Sequence, residues 1–408
     1  LSARQAERMR VALVVEQLRR SVTGGIGTYA TGLLQGLDTL ARSSVAGPLA
    51  EGTGPNHTGP NRTGPNRTGP NRTGPEVTLL TSRPPRGPDP LVTLGHPVLA
   101  SRLPGFLLTR AWDAGLAAPR GFDLVHAVSL AVPRGGAQPV VATVHDLAWR
   151  TIPSAFPVRG RRWHEQALAR ALARATLFVV PSEVTAADLV GAGADAARVR
   201  VVEEGADHLP APDAAGTGAL LDRLGVQEPY LLSVGTIEPR KNLEAVLAAY
   251  RHARAHLPGR WPLLVVGPQG WGPDPTVAST GLDGVAHNQA ADNPGVLRTG
   301  KVEPGVLAGL YAGSRCLVYV PLTEGWGLPP VEAMAAGTPV VASPMPSTGK
   351  AALEVDPCDV AAIADALVVA STDQKVRAEL VSAGRARAAG LTWEAAARRH
   401  VELWEGVA

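Results

Sequence analysis

The chain has 408 residues, 45% of them hydrophobic, and 39 Lys and Arg stand against 36 Asp and Glu. That length can bury two cores of ordinary domain size, and a net charge of +3 removes the electrostatic case for a nucleic-acid-binding protein. Two cysteines, Cys316 and Cys358, without pair spacing or His neighbours, exclude a disulfide framework and a Cys-based zinc site and suit a reducing cytoplasm.

The N-terminal residues lack a signal-peptide apolar segment, and no apolar run reaches the roughly 18 residues that span a bilayer. Met9 begins the strand-like MRVALVV, so residues 1–8 read as a tail or a misassigned start. VALVV at 11–15 is short, continuous and β-branched, the texture of a strand buried on both faces of a parallel sheet. The texture recurs at 77–80, 123–125, 140–144, 177–180 and 199–202, and Ala- and Leu-rich helices are predicted at 29–40 and 163–175. Alternating strands and helices imply a parallel sheet with crossover connections. Residues 54–75 form a GPNRT-type pentapeptide repeat with almost no apolar side chains, too polar to offset the entropy of ordering, and read as a disordered insertion. A polar stretch with Pro and Gly, 208–218, reads as a domain boundary. The pattern then restarts, with strands at 230–234, 263–266, 296–298, 317–320 and 339–342. Helices follow at 243–256, 305–312 and 331–335, and a last one at 393–404. The expected organisation is a first domain over 1–207, a second over 208–390 and a C-terminal segment over 391–408.

Four segments carry candidate chemistry. TEGWGLPPVEAMAAGTPVVAS, 323–343, places a glycine-containing loop between a strand and a helix whose start suits Pro329 and Pro330. Loops at the carboxyl ends of parallel strands, with helix N-termini, bind anions and nucleotides. Glu324 and Glu332 frame that site; the plainer alternatives are a solvated Glu324 and a Glu332 that favours the positive end of the helix from its first turn. SVGTIEPRKN, 233–242, presents Arg240 and Lys241 at a strand end, where guanidinium and ammonium groups suit phosphate oxygens. An ordinary solvated pair is the alternative, but Lys241 is one of only four lysines in the chain. TGGIGTY, 23–29, offers Gly24 and Gly25, whose backbone amides can approach a phosphate closely. It is not the dinucleotide-binding GxGxxG pattern and lacks the acidic residue expected downstream. ATVHDLAW, 142–149, sets His145 and Asp146 directly after a buried strand, although a lone His is often structural. The sequence contains no Asp-x-Asp and no other metal cluster, so Arg240, Lys241, backbone amides and helix dipoles are expected to neutralise a diphosphate without a metal or other cofactor.

Taken in order, these segments resemble glycosyltransferase family 4. EGWGLPPVEAMAAGTPVVAS is similar to the family's E-x7-E motif, and VGTIEPRKN and VHDLAW are similar to a bacterial subgroup with many mannosyltransferases of polysaccharide assembly. The resemblance implies a GT-B fold: two Rossmann-like, doubly wound α/β domains facing across a cleft, with the C-terminal helix crossing back to the first. It implies a retaining hexosyltransferase that uses a nucleotide-diphosphate sugar, GDP-mannose favoured, and a glycan or lipid-linked acceptor. It further implies Gly24, Gly25, Arg240 and Lys241 at the donor diphosphate and Glu332 at the ribose. Glu324, with the amides of Trp326, Gly327 and Leu328, holds the donor sugar, and His145 touches it from the first domain. The chain departs from the family at PMPSTGKAALEVDP, 344–357, which is shorter than usual and lacks a Leu-Pro-Glu element. A GT-B nucleotide-sugar epimerase and a non-catalytic nucleotide-sugar-binding subunit are the alternative functions. The expected location is cytoplasmic. Segments 101–112 and 161–174, which combine Arg with Trp and Leu, are candidates for peripheral contact with the inner membrane face, against the favoured alternative that each packs on the first sheet with its arginines solvated.

Overall fold

The computed structural model describes residues 8–20, 23–43, 74–227, 229–276 and 294–408. Seven parallel strands form the first sheet: β1 (Arg10–Val14), β2 (Glu76–Thr81), β3 (Val98–Ala100), β4 (Leu124–Ala127), β5 (Val140–Thr143), β6 (Leu177–Val180) and β7 (Val199–Val201). Six form the second: β8 (Leu231–Val234), β9 (Leu263–Val266), β10 (Val296–Gly300), β11 (Cys316–Tyr319), β12 (Val340–Ala342) and β13 (Leu353–Glu354). The first domain carries α1 (Gly24–Ser43), α2 (Gly105–Asp113), α3 (Ala148–Thr151), α4 (Val158–Arg174) and α5 (Glu183–Gly191). There follow α6 (Ala214–Arg223), α7 (Leu243–Ala253), α8 (Pro304–Gly313), α9 (Leu328–Ala335), α10 (Val360–Thr372), α11 (Gln374–Ala389) and α12 (Trp393–Glu405).

The strand orders are β3-β2-β1-β4-β5-β6-β7 and β10-β9-β8-β11-β12-β13, the doubly wound arrangement expected from the alternating pattern. Central strands such as LVHA, VVAT and LLVV are buried along their whole length, because helices cover both faces. The winding direction reverses between β1 and β4 and between β8 and β11, which opens a crevice at the carboxyl ends of those strands.

The last helix returns to the first domain and packs on α1. Its buried side chains, Trp393, Ala396, Ala397, His400 and Trp404, recur at helical spacing, and Thr392 caps its start by accepting from the Ala395 amide. The fully buried Trp393 lies in a groove made by missing side chains: a Cβ on Gly32, Gly36 or Gly205 would overlap it. Further along, His400 Nδ1 donates to the Ala396 carbonyl at 2.7 Å, so its Nε2 accepts from the Tyr29 hydroxyl, also at 2.7 Å. Tyr29 then meets Thr143 at 3.0 Å and Thr143 meets His126 at 2.8 Å, a buried polar chain between α12 and the sheet. Burial pushes the His400 imidazole down to about 4. Its unfolded value is near 6.5, so the unfolded chain takes up the proton first and stability falls as pH drops from about 6.5 to 4. The expected loss from His400 is about 3 kcal/mol. Denaturant unfolding across that window should show a shallower slope for His400→Asn; equal slopes would exclude the effect.

Several elements differ from the expectations. β3 was not anticipated because all three of its residues are exposed, and β13 has only two residues. The stretch 208–218 is not all linker: Asp213 accepts from the Gly216 amide and starts α6 at Ala214, which packs on α8. The repeat lies outside the described residues except for Gly74 and Pro75. The two candidate membrane segments bury Leu108, Trp112, Leu168 and Ala171 in the core of the first sheet, and Arg174 of α4 donates to the Trp112 and Asp113 carbonyls. Phe106 and Leu107 of α2 are exposed. Among the described residues, no helix is long and apolar enough to cross a membrane.

Candidate active site

Both crevices open into one cleft of about 1350 Å³ between the domains. On the second-domain side, Gly235 directly follows β8, and a Cβ on Gly267 would overlap the Gly235 carbonyl, so the loops after β8 and β9 run in contact. The chain then makes a tight turn over Pro239–Lys241, and Asn242 closes it with a left-handed backbone (φ 57°). The Asn242 side-chain amide donates to the Val320 carbonyl at 3.1 Å and the Pro357 carbonyl at 2.8 Å. This side chain ties the Arg240–Lys241 turn to the end of β11, where the Glu324 loop begins.

Three groups converge on Glu324 Oε1: the Tyr319 hydroxyl at 2.8 Å, Arg240 Nη1 at 2.9 Å and Lys241 Nζ. Burial pushes the Glu324 carboxyl up, but Arg240, Lys241 and the hydrogen bonds outweigh it and bring the group to about 2. Arg240 also reaches Glu238 at 2.9 Å, the Thr323 carbonyl at 3.2 Å and, across the cleft, Asp146 at 3.8 Å. Burial works against the guanidinium charge, and Glu324, Asp146 and Glu238 reverse that effect. Burial raises the Glu238 carboxyl. Arg240 Nε and Trp326 Nε1, both from cleft-lining residues, are buried donors without an acceptor.

On the first-domain side, Gly24 opens α1 with a left-handed backbone (φ 58°), and a Cβ on Gly24 or Gly25 would meet nothing within 4 Å. Their backbone therefore borders open cleft. His145 lines the cleft with both ring nitrogens engaged inside its own domain: Nδ1 lies 3.3 Å from Glu204 and Nε2 3.0 Å from the Val128 carbonyl. Burial lowers the imidazole, but Glu204, the Val128 carbonyl and Asp146 raise it overall. Both nitrogens thus face acceptors within the first domain and not the open cleft.

The domains touch at Gly325. Its carbonyl accepts from the Ser182 hydroxyl at 2.7 Å, and a Cβ on Gly325 would overlap the His145 backbone carbonyl. Gly325→Ala must separate the two loops, and a misplacement of about 1 Å at reacting groups costs about 100-fold. A fall of about that size in kcat/KM is expected in a variant that still unfolds cooperatively; wild-type turnover would show that the contact does not set the cleft.

Trp326, Gly327 and Leu328 form the entry to α9, with Gly327 left-handed (φ 100°) before the first helical residue, Leu328. The helix therefore starts earlier than expected, and Glu332 is not in its first turn. Glu332 is instead buried: Tyr311 donates to Oε2 at 2.6 Å, and His208 Nε2 lies 2.9 Å from Oε1. Tyr311, His208 and Glu204 were missed in the sequence because no local spacing joins them to the motif residues, and Glu238 and Tyr319, which lie within or just before the motifs, were passed over because nothing local marks their side chains as facing Arg240 and Glu324.

The model of Glycosyltransferase Family 4 matches residues 23–208, and that of Glycosyl transferases group 1 matches residues 228–373. The O-antigen chain mannosyltransferase B of Escherichia coli is 30% identical over 262 residues, covering 62% of this chain and 67% of that protein. The chain belongs to glycosyltransferase family 4. A second relative, the D-inositol 3-phosphate glycosyltransferase of Xylanimonas cellulosilytica, is 31% identical over 285 residues, 65% of this chain and 66% of that protein. The chain thus spans about two thirds of the length of either relative. The structure of HepE from Anabaena, in complex with UDP and glucose, superposes with a TM-score of 0.65 at 15% identity, covering 98% of this chain and all of that one. At that identity the likeness establishes the GT-B fold. In this family 4 chain, the loops after β1, β5, β8 and β11 thus meet at one cleft.

Proposed function

We propose that this glycosyltransferase is a retaining, metal-independent hexosyltransferase that moves mannose from GDP-mannose to a glycan or lipid-linked acceptor. One observation carries the reading: Arg240 and Lys241 converge on Glu324 in a cleft that Gly24 and Gly25 line from the other domain. Donor phosphate oxygens are the anions that suit the two cations and the glycine amides. The domains divide at 207/208 and at 390/391 in this reading. Gly24 and Gly25 amides with Arg240 and Lys241 bind the diphosphate, and Glu332 holds the ribose. Glu324, with the Trp326, Gly327 and Leu328 amides, holds the sugar, and His145 supports it from the first domain. The bond from the sugar anomeric carbon to the diphosphate oxygen breaks while the acceptor oxygen bonds on the same face. The departing phosphate takes the acceptor proton, and the two cations stabilise its charge. The mannosyltransferase relative supports mannose as the sugar. The exposed Phe106 and Leu107 support an acceptor with an apolar part, met at the inner membrane face by a cytoplasmic enzyme.

The test is turnover against a panel of GDP-, UDP- and ADP-linked hexoses, with and without a chelator, with NMR of the product anomer. Expected are acceptor-dependent GDP release from GDP-mannose, a retained anomeric configuration and no effect of chelation. Exclusive use of another donor, an inverted product, or rescue by magnesium after chelation would overturn the sugar, the stereochemistry or the metal independence in turn.

A further inference from the structure

Glu332 is the one proposed donor-binding carboxylate held by a side chain from the crossover between the domains. His208 follows β7 at the boundary between the domains, and its Nε2 lies 2.9 Å from Glu332 Oε1 on α9. The other ring nitrogen, Nδ1, lies 3.2 Å from Trp393 Nε1 at the start of α12. An indole N–H can only donate, so His208 Nδ1 must accept. The imidazole proton then sits on Nε2, aimed at the carboxylate. Trp393 is itself immobilised by the groove of Gly32, Gly36 and Gly205, and its backbone amide donates to Asp207 at 2.7 Å, one residue before His208. The Tyr311 hydroxyl occupies Oε2 at 2.6 Å. A carboxylate has about four acceptor directions. These two donors fix its plane and leave the remaining lone pairs in one orientation at the cleft, which His208, Leu328 and Glu332 all line.

We infer that His208 is a positioning residue for the donor: it orients Glu332 toward the ribose hydroxyls, and the docked C-terminal helix holds His208 in the tautomer that does so. Donor binding is thereby coupled to the return of α12 onto the first domain. A nucleotide site wholly inside the second domain would depend on α12 only through stability. Here the dependence runs through one ring and two hydrogen bonds. The inference rests on the assignment of Glu332 to the ribose.

The experiment uses the full chain and calorimetric titration with GDP and with 2′,3′-dideoxy-GDP, alongside steady-state kinetics with GDP-mannose. Hydrogen bonds to a charged group are worth roughly tenfold or more in affinity. Wild type is therefore expected to prefer GDP over the dideoxy analogue by at least about tenfold. In His208→Ala that preference should fall to about twofold, with KM for the donor raised and kcat nearly unchanged. His208→Gln, whose amide can still donate to Glu332, should restore much of the preference. Trp393→Phe keeps an aromatic ring but removes the N–H together with part of the indole bulk, so in a variant shown by circular dichroism to be folded it should give an intermediate preference. A His208→Ala or Trp393→Phe protein that keeps the full wild-type preference overturns the positioning role while the ribose assignment stands. Equal binding of both nucleotides by wild type overturns the ribose assignment, and the inference with it.

Discussion

Arg240→Ala is expected to lower kcat/KM for the nucleotide sugar by about two to three orders of magnitude. Removing one preorganised donor from developing charge costs on that scale, about 3–4 kcal/mol. The structure adds a second reason for a large effect. Arg240 is half-buried and sits between Glu324 at 2.9 Å and Glu238 at 2.9 Å, so truncation leaves two inward carboxylates with less compensation. Burial and the neighbouring Glu324 already raise Glu238. Without Arg240, Glu324 loses the largest of the charges that bring it to about 2 and should titrate higher. That contribution to stability is present above the unfolded carboxylate range and is lost as pH falls toward 2, so the variant should lose less stability on acidification than wild type. Arg240→Lys keeps the charge without the planar fork and should recover only part of the rate. Nucleotide release by a correctly folded Arg240→Ala protein at the wild-type rate would remove Arg240 from the mechanism.

Trp393→Ala should be the most destabilising single truncation in the interface between α12 and α1. The side chain is 1% exposed and occupies a groove shaped by three glycines, which cannot collapse around a smaller residue without moving backbone. Truncating a buried tryptophan costs about 3–5 kcal/mol. For domains of this size that corresponds to a melting temperature lower by on the order of 10 °C. Calorimetry on the full chain checks it. A shift of only a degree or two would mean that α12 is held mainly by Ala397, His400 and Trp404 further along. Gly32→Val attacks the same contact from α1 and should undock the helix in the same way.

Much of the architecture follows from local texture. Continuous β-branched runs such as VALVV and LLVV can be buried on both faces only in a covered parallel sheet, and their alternation with helices limits the topology to a doubly wound one. The location of the Arg240–Lys241 turn and the Glu324 loop was legible for the same reason, since both directly follow such strands. Irregular elements were not legible. β3 exposes all its side chains, and α6 begins with AAGTGALL inside a stretch whose Pro and Gly content reads as a linker. A polar residue in the right place, Asp213 capping the Gly216 amide, outweighs that composition.

The sequence by itself determined that two parallel α/β units exist, that the chain carries the family 4 motifs, and that Arg240, Lys241, Glu324 and the glycines at 24 and 25 lie at strand ends. Only the tertiary structure decided what each of them touches. His145 carries the expected position but has both nitrogens bound within its own domain, and Glu332 is a buried carboxylate held by Tyr311 and His208 instead of a group in the first turn of a helix. The physical reason is one of range. Strand burial and loop placement depend on neighbouring residues, and periodicity records them. Hydrogen bonds between distant segments depend on how whole elements dock, and the docking of α12 in a groove of absent side chains leaves no periodic trace in the chain.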